Sequence, residues 1–286
     1  MSDFDYGEII KGGFHTWKNN LKLCVPFILG ALISAIVSGI ILIITFISLF
    51  WPLLEDAIAD PASMSSSEFF SELYSIVTSN LVSIIAVLAI IFIIVGIIYS
   101  FFYSGAIGMA KEAISTGKTN LSHMWDYGKK KYLDFFFTCI ILGLIFLIGV
   151  MFIIPGLISV SSEISESGFD FTSQNIESYF PLIIGFIIMV PYLVIMSIIF
   201  SLVTYAVVID DLSAIEGVKK GFRVFWHNKL SVFLIWLIVM VIGFIFGLVG
   251  TIPYIGGTLS LIVSLVVVTP LTTVWWSKFY MTITKT

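Results

Sequence analysis

The sequence predicts an all-α fold, a polytopic membrane protein with six transmembrane helices, and three observations carry that prediction. Six uncharged apolar stretches, 23–50, 81–110, 135–160, 180–209, 230–252 and 256–277, each exceed the roughly 20 residues that cross a bilayer core of about 30 Å. The polar segments between them alternate in charge. All fourteen Lys and Arg residues fall in 1–22, 111–134, 210–229 and 278–286 beside nine acids, while 51–80, 161–179 and 253–255 hold the other nine acids and no base. Finally, 59% hydrophobic residues, 11% charged residues and a mean hydropathy of +1.10 exclude a water-soluble surface. Basic segments stay on the cytoplasmic side, so the charge asymmetry predicts a multi-pass plasma-membrane protein with both termini cytoplasmic.

The elements follow in chain order. Ile10, Phe14, Trp17 and Leu21 share one face of a helix over 6–21, and Asp5 with Glu8 has the spacing of an N-terminal capping box. The first span carries two ridges of small residues, Gly30/Ser34/Ser38 and Ala31/Ala35/Gly39. After a stop at Asp60-Pro61, Ser65 and Glu68 cap a short helix through Phe69, Phe70, Leu73 and Tyr74. The second span has the ridge Gly96, Ser100, Ser104 and Gly108, where missing bulk lets helix backbones approach. Asn120 is the N-cap of a helix over 119–132 with Leu121, Trp125 and Tyr132 on its apolar side. The Ser- and acid-rich segment 161–179 is expected to form one helical turn before Tyr179.

Pro191 in the fourth span and Pro270 in the sixth free backbone carbonyls and kink their helices. Asp210-Asp211 is a turn that ends the fourth span. A helix over 212–228 follows, with a Ser213/Glu216 capping box and a stripe of Ile215, Val218, Phe222 and Phe225. Gly243-x-x-x-Gly247 gives the fifth span a packing ridge, and Trp275, Trp276, Phe279 and Tyr280 around Lys278 form an interfacial anchor.

An internal repeat links these elements. Lys11-Gly12-Gly13-Phe14-His15-Thr16-Trp17-Lys18-Asn19-Asn20 matches Lys219-Lys220-Gly221-Phe222-Arg223-Val224-Phe225-Trp226-His227-Asn228 at one offset. Tyr127-Gly128-Lys129-Lys130-Lys131-Tyr132 is a weaker copy, and at its offset Cys24 falls on Cys139. The single membrane domain, 1–286, is therefore read as three parallel units, about 1–110, 111–209 and 210–286. Each unit is a basic amphipathic collar helix followed by a transmembrane hairpin.

This layout resembles a broad group of prokaryotic six-helix membrane proteins of undetermined role, and is similar to the membrane domain of some glycerophosphoryl diester phosphodiesterases. The phosphodiesterase barrel and its metal-binding carboxylates have no counterpart in the sequence, so the resemblance implies a lipid-facing module without that catalysis.

Chemistry-bearing motifs are absent. His15, His123 and His227 lie in separate segments with no ligand spacing around them, and there is no Walker loop or nucleophile elbow. No cofactor, metal or enzymatic activity is expected. The expected partners are membrane lipids, with anionic headgroups touching Lys11, Lys18, Lys129, Lys130, Lys131, Lys219, Lys220 and Arg223. Gly13, Phe14, Trp17, Gly128, Gly221, Phe222 and Phe225 are the expected packing residues of the collars. Nucleic acid is excluded by the sparse basic residues. The sequence thus points to a non-enzymatic structural or lipid-interacting protein at the inner leaflet. The alternative is a passive or partner-driven transporter of a small or amphiphilic solute, with a pathway between the hairpins near Tyr99, Tyr103 and Pro191. A lateral groove for lipid tails would favour the former, and a solvated central cavity the latter.

Overall fold

A computed structural model describes residues 5–59, 66–167 and 176–285, and no strand occurs among them. Twelve α-helices follow one another among the described residues. They are α1 (Tyr6–Asn19), α2 (Val25–Ala59), α3 (Ser66–Ser79), α4 (Leu81–Thr116), α5 (Leu121–Val150), α6 (Ile154–Ser167), α7 (Ile176–Ile199), α8 (Val203–Ile209), α9 (Ala214–His227), α10 (Lys229–Gly247), α11 (Gly256–Val263) and α12 (Thr269–Thr284). Among the described residues, six stretches are long and apolar enough to cross a membrane: Leu21–Trp51, Leu81–Thr116, Leu121–Ser162, Tyr179–Ile209, Lys229–Thr251 and Gly256–Thr284. The protein is a multi-pass helical membrane protein.

Local chemistry sets the helix starts. Asp5 accepts from the Glu8 N–H at 3.1 Å and Asn120 from the His123 N–H at 3.2 Å. Glu216 accepts from the Ser213 backbone N–H at 3.1 Å, which satisfies one donor the first helical turn cannot. Gly117 ends α4 at φ +81°, a left-handed conformation that costs glycine nothing, and its N–H returns to the Ala113 carbonyl at 3.0 Å.

Several expectations are modified. Asp60, Pro61 and Ser65 lie outside the described residues; the helix expected after them runs over Ser66–Ser79. Helical structure reaches Ser167 and resumes at Ile176, more than the single turn read from 161–179. α7 continues through Pro191, and the break in the fourth span comes later, at 200–202. Pro270 sits at the start of α12, directly after a π-helical stretch over Ser264–Val268. That wider turn is one of the recognised ways a helix takes in a disruption of its ladder.

The collars also differ from one another. α1 and α9 are separate helices, each ended by an asparagine (Asn20 at φ −134°, Asn228 at φ −126°) before the chain enters its span. In the second unit the repeat offset places Phe135 at this point, and α5 runs unbroken from Leu121 to Val150. The second collar is therefore the first part of a long helix rather than a helix of its own.

Burial is uneven along the helices. Buried side chains concentrate in the halves that carry the basic residues: Leu23–Phe27, Ser100–Ala113, Met124–Thr138, Leu202–Ile209, Val232–Ile235 and Pro270–Met281. In the opposite halves only Leu53, Gly149, Gly156, Gly185 and Gly256 are buried among the described residues. Those glycines let partner helices of one hairpin approach closely: a Cβ on Gly156 would strike the Leu182 backbone, and one on Gly185 the Phe152 carbonyl. The hairpins are thus joined to each other mainly through one shared core at the basic end.

Candidate functional site

Collar packing explains that core. At matching repeat positions the buried residues are Ile9 and Gly13, Met124 and Gly128, and Gly217 and Gly221. Positions four apart share a helix face, so each collar turns the same face inward. A Cβ on Gly13 would run into the Trp275 indole of α12. One on Gly128 would meet the Phe101 ring of α4 at 3.0 Å and its carbonyl at 3.1 Å, and one on Gly221 the Val203 Cα of α8 at 2.8 Å. The first collar thus packs on the last span of the third unit, the second on that of the first, and the third on that of the second. Two hydrogen bonds fasten the first junction: Trp275 Nε1 donates to the Ile10 carbonyl at 3.0 Å, and Lys278 Nζ to the Glu8 carbonyl at 3.1 Å.

The aromatic stripe lies one residue round from this contact face. Phe14 is 47% exposed and Phe222 43% exposed, while Trp17 is half-buried and Phe225 is buried. Phe14 therefore does not pack its collar against the spans as expected, and Phe222 reaches a span only at its edge, where its ring lies 6.4 Å from that of Phe200. The glycines form that seam, and the large rings point outward, where Phe222 stacks on Trp226 at 5.7 Å. Lys11, Lys18, Lys129, Lys130, Lys219 and Arg223 are exposed and Lys220 is half-buried. Lys129 sits over the Trp125 ring at 5.9 Å.

Lys131 departs from this pattern. Its side chain is only 6% exposed and is held by Asp211 at 2.8 Å, Asp134 at 3.2 Å and the Leu212 carbonyl at 3.0 Å. It is a structural cation and not a headgroup contact. Around it, the Asp210–Leu212 turn gathers the basic end. Lys111 donates to the Ile209 carbonyl at 2.8 Å, Lys130 pairs with Asp211, and the Tyr280 hydroxyl donates to Asp210. Asp211 has φ +58°, a conformation Asp tolerates better than most residues. The bond from Lys130, then that from Lys131, holds its carboxyl below the usual carboxylate range, and the Ser213 hydroxyl bond lowers Glu216 likewise. The sequence suggested a turn here but not its partners, which come from α4, α5, α9 and α12.

Three cavities lie farther along the spans. A lateral groove of about 870 Å³ between α4 and α5 is lined by Leu88, Phe92, Val95, Phe136, Ile140 and Leu144, with Tyr99 and Ser38 as its sparse polar groups. A second cavity, about 470 Å³, lies on the α2 side of Tyr99 and Tyr103. A third, about 440 Å³, lies between α7, α10 and α12 and carries the hydroxyls of Ser197, Ser201, Thr204, Tyr205 and Thr272. Tyr103 lines both of the smaller cavities.

The ridge on α4 packs: Gly96 faces Phe136, Gly108 the Tyr127 ring, and Ser100 and Ser104 between them are buried, while Gly105 beside the ridge faces the Met124 carbonyl. By contrast Gly39, Gly243 and Gly247 have open space around them, so the glycines of the fifth span form no packing ridge within this chain. No cluster of three metal-ligating side chains occurs among the described residues.

Comparison with known proteins finds an uncharacterized protein of Archaeoglobus fulgidus, 30% identical over 184 residues. The match covers 59% of this chain and 59% of that protein, so the chain spans under two thirds of the relative's length. No solved structure matches. Neither the relative nor the matching family is described as a phosphodiesterase. The family match runs over residues 30–282, nearly the whole membrane region, and the chain belongs to the family described as a domain of unknown function, DUF7847.

Proposed function

We propose that this protein is a non-enzymatic lipid-binding membrane protein, with its basic end at the cytoplasmic face and an acyl chain held in the groove between α4 and α5. The groove carries the reading. Its volume falls within the range of about 300–1,000 Å³ typical of small-ligand sites, and its wall is almost wholly aliphatic and aromatic. It opens within the membrane-spanning halves, where the available apolar ligand is a lipid tail. At the other end, exposed Phe14, Phe222 and Trp226 beside Lys11, Lys219 and Arg223 suit helices lying among anionic headgroups. The shared inward face of the three collars and the cyclic order of their glycine contacts support a ring of three repeated units.

Gly143 lines the groove, and a Cβ there meets nothing within 4 Å. Gly143→Phe should fill the groove without distorting the backbone. Lipid extracted from mildly purified wild-type protein and quantified by mass spectrometry should exceed that from the variant. Equal lipid in both would sink the proposal.

A second reading, passive or partner-driven transport, is favoured by one observation. The hydroxyl-bearing cavity shares Tyr103 with its neighbour, whose mainly apolar wall carries the hydroxyls of Ser34, Tyr99 and Thr269. Solute flux into protein-loaded liposomes, absent from empty ones, would decide for it.

A further inference from the structure

Two cavities at the basic end share Lys111 and differ in charge. One, about 240 Å³, is lined by Lys111 and Lys130 together with Asp126 and Asp211, so its charges balance. The other, about 420 Å³, is lined by Lys111, Lys220 and Lys285 and by one carboxylate, Asp210. That carboxylate is already engaged by the Tyr280 hydroxyl, and Lys220 stands 4.0 Å from it, the outer limit of an ion pair. Neither Lys111 nor Lys285 is ion-paired among the described residues. Lys111 gives one proton to the Ile209 carbonyl, which leaves its ammonium two more donors.

Three lysines from three elements, α4, α9 and the residue after α12, thus line a space with one carboxylate, and with Lys111 counted once the two cavities together carry four lysines against three carboxylates, an excess of one positive charge. Ile209, Leu212 and Met281 supply no acceptor side chain, and besides Asp210 the lining offers only the Thr284 hydroxyl, which donates to the Tyr280 carbonyl. A compact anion with several acceptor oxygens would complete it, because each ammonium binds as a point charge and needs no planar fork. We propose that the cavity between Lys111, Lys220 and Lys285 is a phosphate-binding site, for a phosphomonoester or phosphodiester group. Only the source of that phosphate depends on the lipid-binding reading. A lipid headgroup would enter from the collar surface, and inorganic phosphate or a soluble phosphate ester from the aqueous side.

The full chain in a phosphate-free maltoside detergent is titrated with inorganic phosphate while its thermal unfolding is followed, and the titration is repeated with glycerol 3-phosphate. A separate arm adds phosphatidylglycerol to the micelles. Each arm is run on wild type, Lys220→Gln, Lys285→Gln and, as an exposed lysine outside the cavity and the headgroup-facing set, Lys118→Gln. Removing either cavity lysine should weaken the response about fivefold, and Lys118→Gln should leave it unchanged. A response in the soluble arms identifies a free phosphate, and one in the phosphatidylglycerol arm alone identifies a headgroup. No response in any arm, or equal losses in all three variants, overturns the site. Because none of these residues lines the groove, a failure here leaves the Gly143→Phe result standing, and the converse holds.

Discussion

The thiol of Cys24 donates to the carbonyl of Val266 at 2.9 Å, and Val266 lies four residues before Pro270. A proline has no N–H to donate to the carbonyl four residues before it, and a side chain on the first span gives that carbonyl a donor which Pro270 cannot. This joins the two ends of the chain inside the core.

Cys24→Ala should therefore lower stability by about 1 kcal/mol, as a buried acceptor loses its donor. Cys24→Ser keeps a donor and should cost less. In a Pro270→Ala background residue 270 regains its N–H, and Cys24→Ala should then cost clearly less than in wild type. Thermal unfolding of the double-mutant cycle in detergent measures this coupling, and strict additivity would contradict it.

The collar glycines make a second prediction. Gly13→Leu and Gly221→Leu place bulk against Trp275 and the Val203 backbone, and each should destabilise by about 1–3 kcal/mol. Gly39→Leu adds the same side chain to open space and should change stability by no more than about 0.5 kcal/mol. Unfolding midpoints for the three variants in one detergent would test the contrast.

Acid should loosen the basic end through Asp211. Its carboxyl is depressed in the folded protein, so the stabilisation is fully present above the unfolded carboxylate's ordinary value and is lost as pH falls through the folded one. Asp211→Asn preserves a residue that tolerates φ +58° but removes the charge. Unfolding followed from about pH 7 to about pH 3 should show a smaller acid-side loss in the variant than in wild type. Parallel curves would remove Asp211 from the explanation.

Orientation can be read directly. In a Cys24→Ser, Cys139→Ser background, a cysteine at Ser71, on the acidic side, should react with an impermeant thiol reagent on intact cells. One at Ser122, on the basic side, should react only after lysis. The reverse pattern would invert the proposed topology.

Much of the fold was readable from the chain. Hydropathy and charge marked the spans, and short-range capping chemistry marked helix starts at Asp5, Asn120 and Ser213. The place of Phe14 was misjudged because the largest apolar side chains need not point to protein when the surroundings are lipid. Small residues such as Gly13 and Gly221 make the seam. Fusion of the second collar to its span had a visible signal in Phe135, which stands where the other units have the helix-ending Asn20 and Asn228. Of the ion pairs of Lys131, the one with Asp134 is local, three residues on in α5, but the one with Asp211 had no local signal, because only the packing of α5 on the end of α8 brings them together.

The confinement of buried side chains to one end of the helices makes the two leaflets mechanically unequal. At the basic end the six spans share packed side chains and move as one block. Toward the acidic end each hairpin is held chiefly to itself, so it acts as a lever arm pivoting on that block. Changes in bilayer thickness or lateral pressure fall on the distance between arms, which costs few contacts, and leave the block intact.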